Sequence, residues 1–163
     1  MNLTLTPAQR RWLWALVVAL IGLRLATLGA YPLIDPSESR YAEIARKMQE
    51  TGLWLVPQSA YGVPFWGKPP LAFWFSAVSM QIFGVNEFAA RLPSLLLMCA
   101  CGALVFRLAH VHLSRAAALL AAAVFASTGL VFIAAGAVAT DAALTFGTTL
   151  AMAGFWAAVQ GPA

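Results

Sequence analysis

The sequence predicts an all-α integral membrane protein, a helical bundle of about four transmembrane helices with two juxtamembrane helices beside them. Three observations lead there. Of the 163 residues 61% are apolar and only 10% charged, with mean hydropathy +0.79, against roughly 45–50% and about 25% in an average soluble domain. Apolar runs recur at the length of a membrane crossing, about 20 residues. The few charges cluster between these runs instead of dispersing over a surface. A soluble globule and a disordered chain are both excluded. The ten Lys and Arg residues, giving a net charge of +4, read as topology determinants, so no nucleic-acid partner is expected. The whole of residues 1–163 forms one module.

The first run, residues 12–34, follows Arg10 and Arg11 and is interrupted by Arg24. It lacks a small-x-small cleavage site, so it reads as an uncleaved span with its amino end in the cytoplasm. Residues 35–52, DPSESRYAEIARKMQETG, are rich in charge. Tyr41, Ile44, Ala45 and Met48 fall at helical spacing with Glu43, Arg46, Lys47 and Glu50 on the other positions, which predicts an amphipathic helix on the membrane surface. Residues 53–69 combine aromatics with Pro57, Pro64 and Pro69 and predict an irregular interfacial loop. Residues 70–85 are apolar but short for a crossing. Three further spans are expected over 92–109, 116–135 and 142–159.

Charge sorts these runs by side. Arg107 and Arg115 flank the HVHLSR link at 110–115, and no acid occurs between Glu87 and Asp141, so the link belongs with Arg10 and Arg11 in the cytoplasm. The start of 92–109 is then outside, together with residues 35–69. Residues 70–85 must begin and end on that outer side, as a juxtamembrane or re-entrant helix. The competing arrangement of five full spans would put Glu38 and Asp141 on opposite sides. Cys99 and Cys101 sit two positions apart in an apolar run and carry no disulfide or metal signal.

Several residues could carry chemistry or simply serve the fold. Asp35, Pro36, Ser37 and Glu38 make a helix-start arrangement, yet one of the two acids is left over for general-base work at the membrane boundary. Asp141, in GAVATDAALTF, is either the cap of the last helix or an ionisable group at a membrane-helix junction with a functional purpose. Lys68 in FWGKPP and Arg91 in NEFAARLPS are either interfacial anchors or holders of a phosphate. Arg24 snorkels or pairs with an acid of the bundle. His110 and His112 belong to a surface link. No Walker loop, dinucleotide-binding glycine pattern or HExxH occurs.

Taken together, the N-terminal span, DPSESRYAEIARKMQETGLWLVP, FWGKPPLAFWFSAVSMQIFGVNEFAARLPS and the late Asp141 resemble the start of a family 39 glycosyltransferase of the GT-C class. That grouping includes protein O-mannosyltransferases and the bacterial enzymes that transfer aminoarabinose to lipid A. The resemblance spans about residues 13–160. It implies a polyprenyl-phosphate sugar as donor, a lipid, glycan or protein acceptor, and a bacterial inner membrane with the site facing the periplasm or exterior. It also implies that Glu38, Arg40 and Tyr41 match the acidic loop motif, Lys68 the phosphate-contacting lysine, Arg91 a basic residue opening a span, and Asp141 a second acid of the cavity. Asp35 or Glu38 would act as base. Two positions depart from the pattern. Ser37 stands where many relatives have Asp, and Gly67 where the lipid A enzymes have a zinc-binding Glu, so no metal and no cofactor are carried over. Family members have many more spans, so the chain, ending at Gly161, Pro162 and Ala163, is expected to be part of a larger enzyme. Two other classes stay open on the residues alone: a membrane scaffold or lipid-binding protein, and a small transporter that would use Asp141 with Arg24.

Overall fold

A computed structural model describes residues 4–160; the GPA end of the chain, where the sequence reading expects an interrupted enzyme, lies outside the described residues. Helix α1, Pro7–Thr27, starts from a reciprocal cap in which Gln9 N–H donates to Thr6 Oγ1 at 3.2 Å and Thr6 N–H to Gln9 Oε1 at 2.9 Å, with Pro7 at the first position. The expected run to residue 34 is corrected here: the helix stops at Thr27. Pro32 supplies no N–H and disfavours helical backbone at Tyr31, and the segment 28–34 leaves its carbonyls facing the bundle.

Helix α2, Pro36–Thr51, is the amphipathic helix expected over 35–52. Asp35 Oδ1 accepts from the N–H groups of Ser37 and Glu38 at 2.8 and 3.0 Å, and Gly52 ends the helix with φ 70°. Ile44, Ala45 and Met48 are buried, with Tyr41 packed against them. The following loop contains a small correction, an antiparallel hairpin of β1, Gln58–Ala60, and β2, Val63–Pro64. Its turn needs Gly62 at φ 76°. Polar bonds fasten it to α2: Lys47 Nζ donates to Ser59 O at 2.8 Å, and Tyr61 Oη donates to Glu50 Oε2 at 2.6 Å.

Helix α3, Leu71–Phe83, is 13 residues long, about 20 Å against a hydrocarbon core of about 30 Å. Helix α4, Glu87–His112, begins at the Asn86 cap, where Oδ1 accepts from Ala89 N–H at 2.8 Å. It is longer at both ends than the expected 92–109 and absorbs His110 and His112 from the predicted link; His112 Nε2 accepts from Trp156 Nε1–H at 2.8 Å. Small residues let α3 and α4 approach, since Ala77, Ala89 and Ala90 are fully buried and Ser76 Oγ donates to Ala90 O at 3.0 Å.

The expected span 116–135 is two helices, α5, Arg115–Ser127, and α6, Gly129–Ala134. The break has a local cause. Ser127 Oγ and Thr128 Oγ1 both donate back to Val124 O, at 3.1 and 2.9 Å, Thr128 is extended, and Gly129 follows. Helix α7, Asp141–Gln160, closes the order. Helix α4 is central, packing against α1, α3, α5, α6 and α7. Among the described residues two helices, Glu87–His112 and Asp141–Val159, are long and apolar enough to cross a membrane.

One charged network on α2 is sensitive to acid. Arg46 grips Glu43 with Nε and Nη2 at 2.7 and 2.8 Å and reaches Glu50 at 2.8 Å. The hydrogen bond from Arg46 lowers the Glu43 carboxyl from its ordinary 4.5 to about 2. Because the folded value is depressed, the stabilisation is complete above pH 4.5 and is lost as pH falls from there toward 2. The pair is partly exposed, so its share is at most about 1 kcal/mol. The melting temperature of Glu43→Gln should lie below that of the wild type at pH 7, and the gap should close toward pH 2. A gap independent of pH would contradict this account.

Candidate active site

The first turns of α2 and α4 and the loop before α7 meet at one buried ion pair. Arg91, on the second turn of α4, is 0% exposed and Glu38, on the first turn of α2, is 8% exposed. Nε and Nη2 of Arg91 donate to Oε1 and Oε2 of Glu38 at 2.8 and 2.9 Å. Nη1 donates to Leu28 O at 2.8 Å and Tyr31 O at 2.7 Å, and Nη2 also to Pro32 O at 3.2 Å. Every one of the five N–H bonds of the guanidinium has an acceptor. Val138 N–H donates to Glu38 Oε1 at 3.0 Å. The Tyr31 ring lies 3.9 Å from Arg91 Cζ, and its hydroxyl donates to Gly136 O at 3.0 Å. The arrangement locks the end of α1, the start of α2, the start of α4 and the 135–140 loop into one unit.

Glu38 and Arg91, expected as base and phosphate contact, are thus brought together, but each is spent on the other. The interfacial-anchor reading of Arg91 is corrected by its complete burial. Four other charged residues singled out by sequence stand differently. Asp35, Arg40, Lys68 and Asp141 are exposed, and Arg40, Lys68 and Asp141 make no side-chain hydrogen bond or ion pair among the described residues. Asp35 uses Oδ1 for its cap and keeps Oδ2 open. Asp141 begins α7 three residues beyond Val138, so the Val138–Glu38 bond ties its neighbourhood to the start of α2.

Tyr41 anchors the Lys68 loop. Its ring stands 6.5 Å from Phe65 and 5.7 Å from Phe73, which are 6.0 Å from each other, an aromatic triangle within the favourable range of centroid distances. Tyr41 also lines a narrow cleft with Ser94, Val138 and Thr140. Phe65 bears on the zinc question as well. A Cβ built at Gly67 would meet the Phe65 ring at 2.7 Å, and among the described residues no three His, Cys, Asp or Glu side chains gather to hold an ion. The residues present do not fit the zinc site of the lipid A enzymes.

Sequence reasoning missed Tyr31, the carbonyls of Leu28, Tyr31 and Pro32, the Val138 amide, and Ser94, whose Oγ donates to Ala137 O at 2.7 Å. Backbone acceptors have no signature of their own. The only available signal was the Tyr-Pro pair, which marks a departure from helix. Of the two fates expected for Arg24, pairing with an acid is not seen among the described residues; its Nη2 donates to Ile133 O at 3.2 Å.

Removing one member strands the other in the interior, which costs about 3–5 kcal/mol. Arg91→Met and Glu38→Gln should each lower the melting temperature of the detergent-solubilised protein strongly, and Arg91→Lys should fail to restore it because an ammonium lacks the fork. The double variant should be less destabilised than the sum of the singles. Strict additivity would show that the pair is not coupled.

Comparison with known proteins agrees with the resemblance read from the sequence. The family described as dolichyl-phosphate-mannose-protein mannosyltransferase matches residues 10–163. An undecaprenyl phosphate-alpha-4-amino-4-deoxy-L-arabinose arabinosyl transferase of Aeromonas hydrophila is 34% identical over 144 residues, covering 88% of this chain and 26% of the relative. Its counterpart in Pseudomonas savastanoi is 32% identical over 146 residues, covering 89% and 27%. The crystal structure of ArnT from Cupriavidus metallidurans in the apo state superposes with TM-score 0.81 at 25% identity, covering 90% of this chain and 27% of that one. The chain therefore spans about a quarter of the length of the relatives it matches. On the family match across nearly its whole length, joined to the shared fold, the chain belongs to the dolichyl-phosphate-mannose-protein mannosyltransferase family, within the GT-C glycosyltransferases.

Proposed function

We propose that this chain carries the donor-phosphate and base-bearing section of a polyprenyl-phosphate-sugar-dependent glycosyltransferase, which moves a sugar to a lipid, glycan or protein acceptor at the outer face of a bacterial inner membrane. The observation that carries the reading is the division of the charges. Glu38 and Arg91 satisfy each other, whereas Asp35 Oδ2, Arg40, Lys68 and Asp141 are left for a ligand. The names of relatives such as those of Aeromonas hydrophila and Erwinia tasmaniensis, undecaprenyl phosphate-alpha-4-amino-4-deoxy-L-arabinose arabinosyl transferases, support the donor class.

The reaction is an inverting displacement. Asp35 accepts the proton of the acceptor hydroxyl, the hydroxyl oxygen bonds to the anomeric carbon, and the bond from that carbon to the carrier phosphate breaks. Lys68 and Arg40 neutralise the charge that develops on the departing phosphate. Asp141 orients the acceptor. Arg91 acts only through Glu38, as a positioning residue, and Tyr41 holds the Lys68 loop. Ser37 carries no carboxylate and Glu38 is held by Arg91, which leaves Asp35 as the open carboxylate at the start of α2.

The same geometry supports the topology of this reading. The carbonyls at the end of α1 reach the start of α4, so the two helices run in opposite directions. Arg10 and Arg11 then share the far end with Arg107 and Arg115, which supports a cytoplasmic location for that end. Four crossings, by α1, α4, α5 with α6, and α7, leave α2 and α3 juxtamembrane. The family match and the names of the relatives favour the transferase over a transport pathway.

Asn caps a helix as well as Asp, so Asp35→Asn separates the cap from the chemistry. The protein, given radiolabelled polyprenyl-phosphate sugars and membrane lipid acceptors, should lose about 10²–10⁴-fold in kcat with Asp35→Asn and about 10²–10³-fold with Lys68→Met, with the melting temperature unchanged. Wild-type turnover in both variants would sink the assignment.

A further inference from the structure

Away from the ion pair, α1, α4, α5 and α6 enclose a side-opening groove of about 300 Å³, at the small end of ligand-sized cavities. Its walls are apolar, from Trp14 and Ile21 on α1, Met98 and Phe106 on α4, and Phe125 on α5. Trp14 and Ile21 are 43% and 37% exposed, so the groove is open along α1. One charged residue lines it, Arg24.

The two membrane-level arginines are provided for very differently. Arg91 has a carboxylate and an acceptor for every N–H. Arg24 has one acceptor, Ile133 O, and its Nε is buried without a partner. The rings of Phe132 and Tyr31 lie 5.0 and 6.0 Å from its Cζ, and they attract a cation without neutralising it. No carboxylate lies within ion-pair distance of Arg24 among the described residues. The loop accommodates the guanidinium closely, because a Cβ at Gly136 would collide with it. A guanidinium kept in place by its surroundings, uncompensated and facing an apolar groove, is complementary to a single anionic group on a hydrocarbon chain.

We propose that this groove binds one anionic glycerophospholipid of the surrounding bilayer, with an acyl chain along Trp14, Ile21, Met98, Phe106 and Phe125 and its phosphate on Arg24. The chain gains little by moving from bilayer to groove, because lipid tails are as apolar as the groove wall. Selectivity therefore resides in the headgroup charge, through charge-assisted bonds from the fork of Arg24. The site is distinct from the transferase site, because no residue of the proposed chemistry lines the groove.

Native mass spectrometry of the delipidated protein in mild detergent, titrated with phosphatidylglycerol or phosphatidylcholine, tests the proposal. One phosphatidylglycerol should bind at roughly tenfold lower concentration than phosphatidylcholine. Arg24→Gln should abolish the preference, Arg24→Lys should retain part of it, and Ala103→Phe, which fills the groove with Arg24 intact, should weaken both lipids. Inorganic phosphate should not displace the lipid. Equal binding of the two lipids by the wild type, a preference that survives Arg24→Gln, or unchanged binding by Ala103→Phe would overturn the proposal. So would undecaprenyl phosphate displacing phosphatidylglycerol at equal or lower concentration, which would make the groove the donor's, or a lipid-free dimer, which would make a second copy the occupant. Loss of sugar transfer in Asp35→Asn bears on none of these readouts, so the two proposals fail separately.

Discussion

The fold is organised around the requirement that Arg91 be fully solvated by protein. A guanidinium without water needs a counter-charge and five acceptors, and leaving any of them out costs free energy that a small bundle lacks. Glu38 supplies the charge and both of its oxygens. The other acceptors are backbone carbonyls, and carbonyls are available only where a helix has ended. The early stop of α1 at Thr27 and the irregular course of residues 28–34 are the structural counterpart of that need.

The same pair draws helix beginnings together. Glu38 is on the first turn of α2, Arg91 on the second turn of α4, and Val138 just ahead of α7. Helix N-termini carry partial positive charge, and acids stand in the first turns of all three helices, at Glu38, Glu87 and Asp141. This end of the bundle is accordingly suited to anionic groups. Fixing Glu38 against Arg91 leaves the nearby charges their freedom: a rigid, neutral centre lets Asp35 and Lys68 face outward without being captured by it.

Local patterns were legible in the sequence and distant partnerships were not. The spacing of Tyr41, Ile44, Ala45 and Met48 located α2 and its buried face, and the Asp35–Pro36 start located its cap, because both depend on neighbours a few residues away. The apolar run 70–85 located α3, which is 13 residues long. Arg91 read as an interfacial anchor or a phosphate holder because its partner, Glu38, lies far away in sequence and its other acceptors are carbonyls. The α5–α6 break was hidden for a related reason: Ser127 and Thr128 are ordinary in a membrane run, and only their back-bonding to Val124 interrupts it. Lys47 also escaped, since a lysine on a charged face gives no sign that it will be buried under a hairpin carbonyl.

The Lys68 loop shows how a departure from the family pattern is accommodated. Where the resemblance to the lipid A enzymes implies a glutamate, this chain has Gly67, and the space a side chain would take belongs to the Phe65 ring. That ring is one corner of the triangle with Tyr41 and Phe73, so the loop is pinned to α2 and α3 by aromatic packing. A glutamate at this position would have to displace Phe65 and with it the contact to Tyr41. Glycine at 67 and aromatic residues at 65 and 73 therefore form one linked choice. They keep Lys68 exposed and without a carboxylate neighbour in its loop.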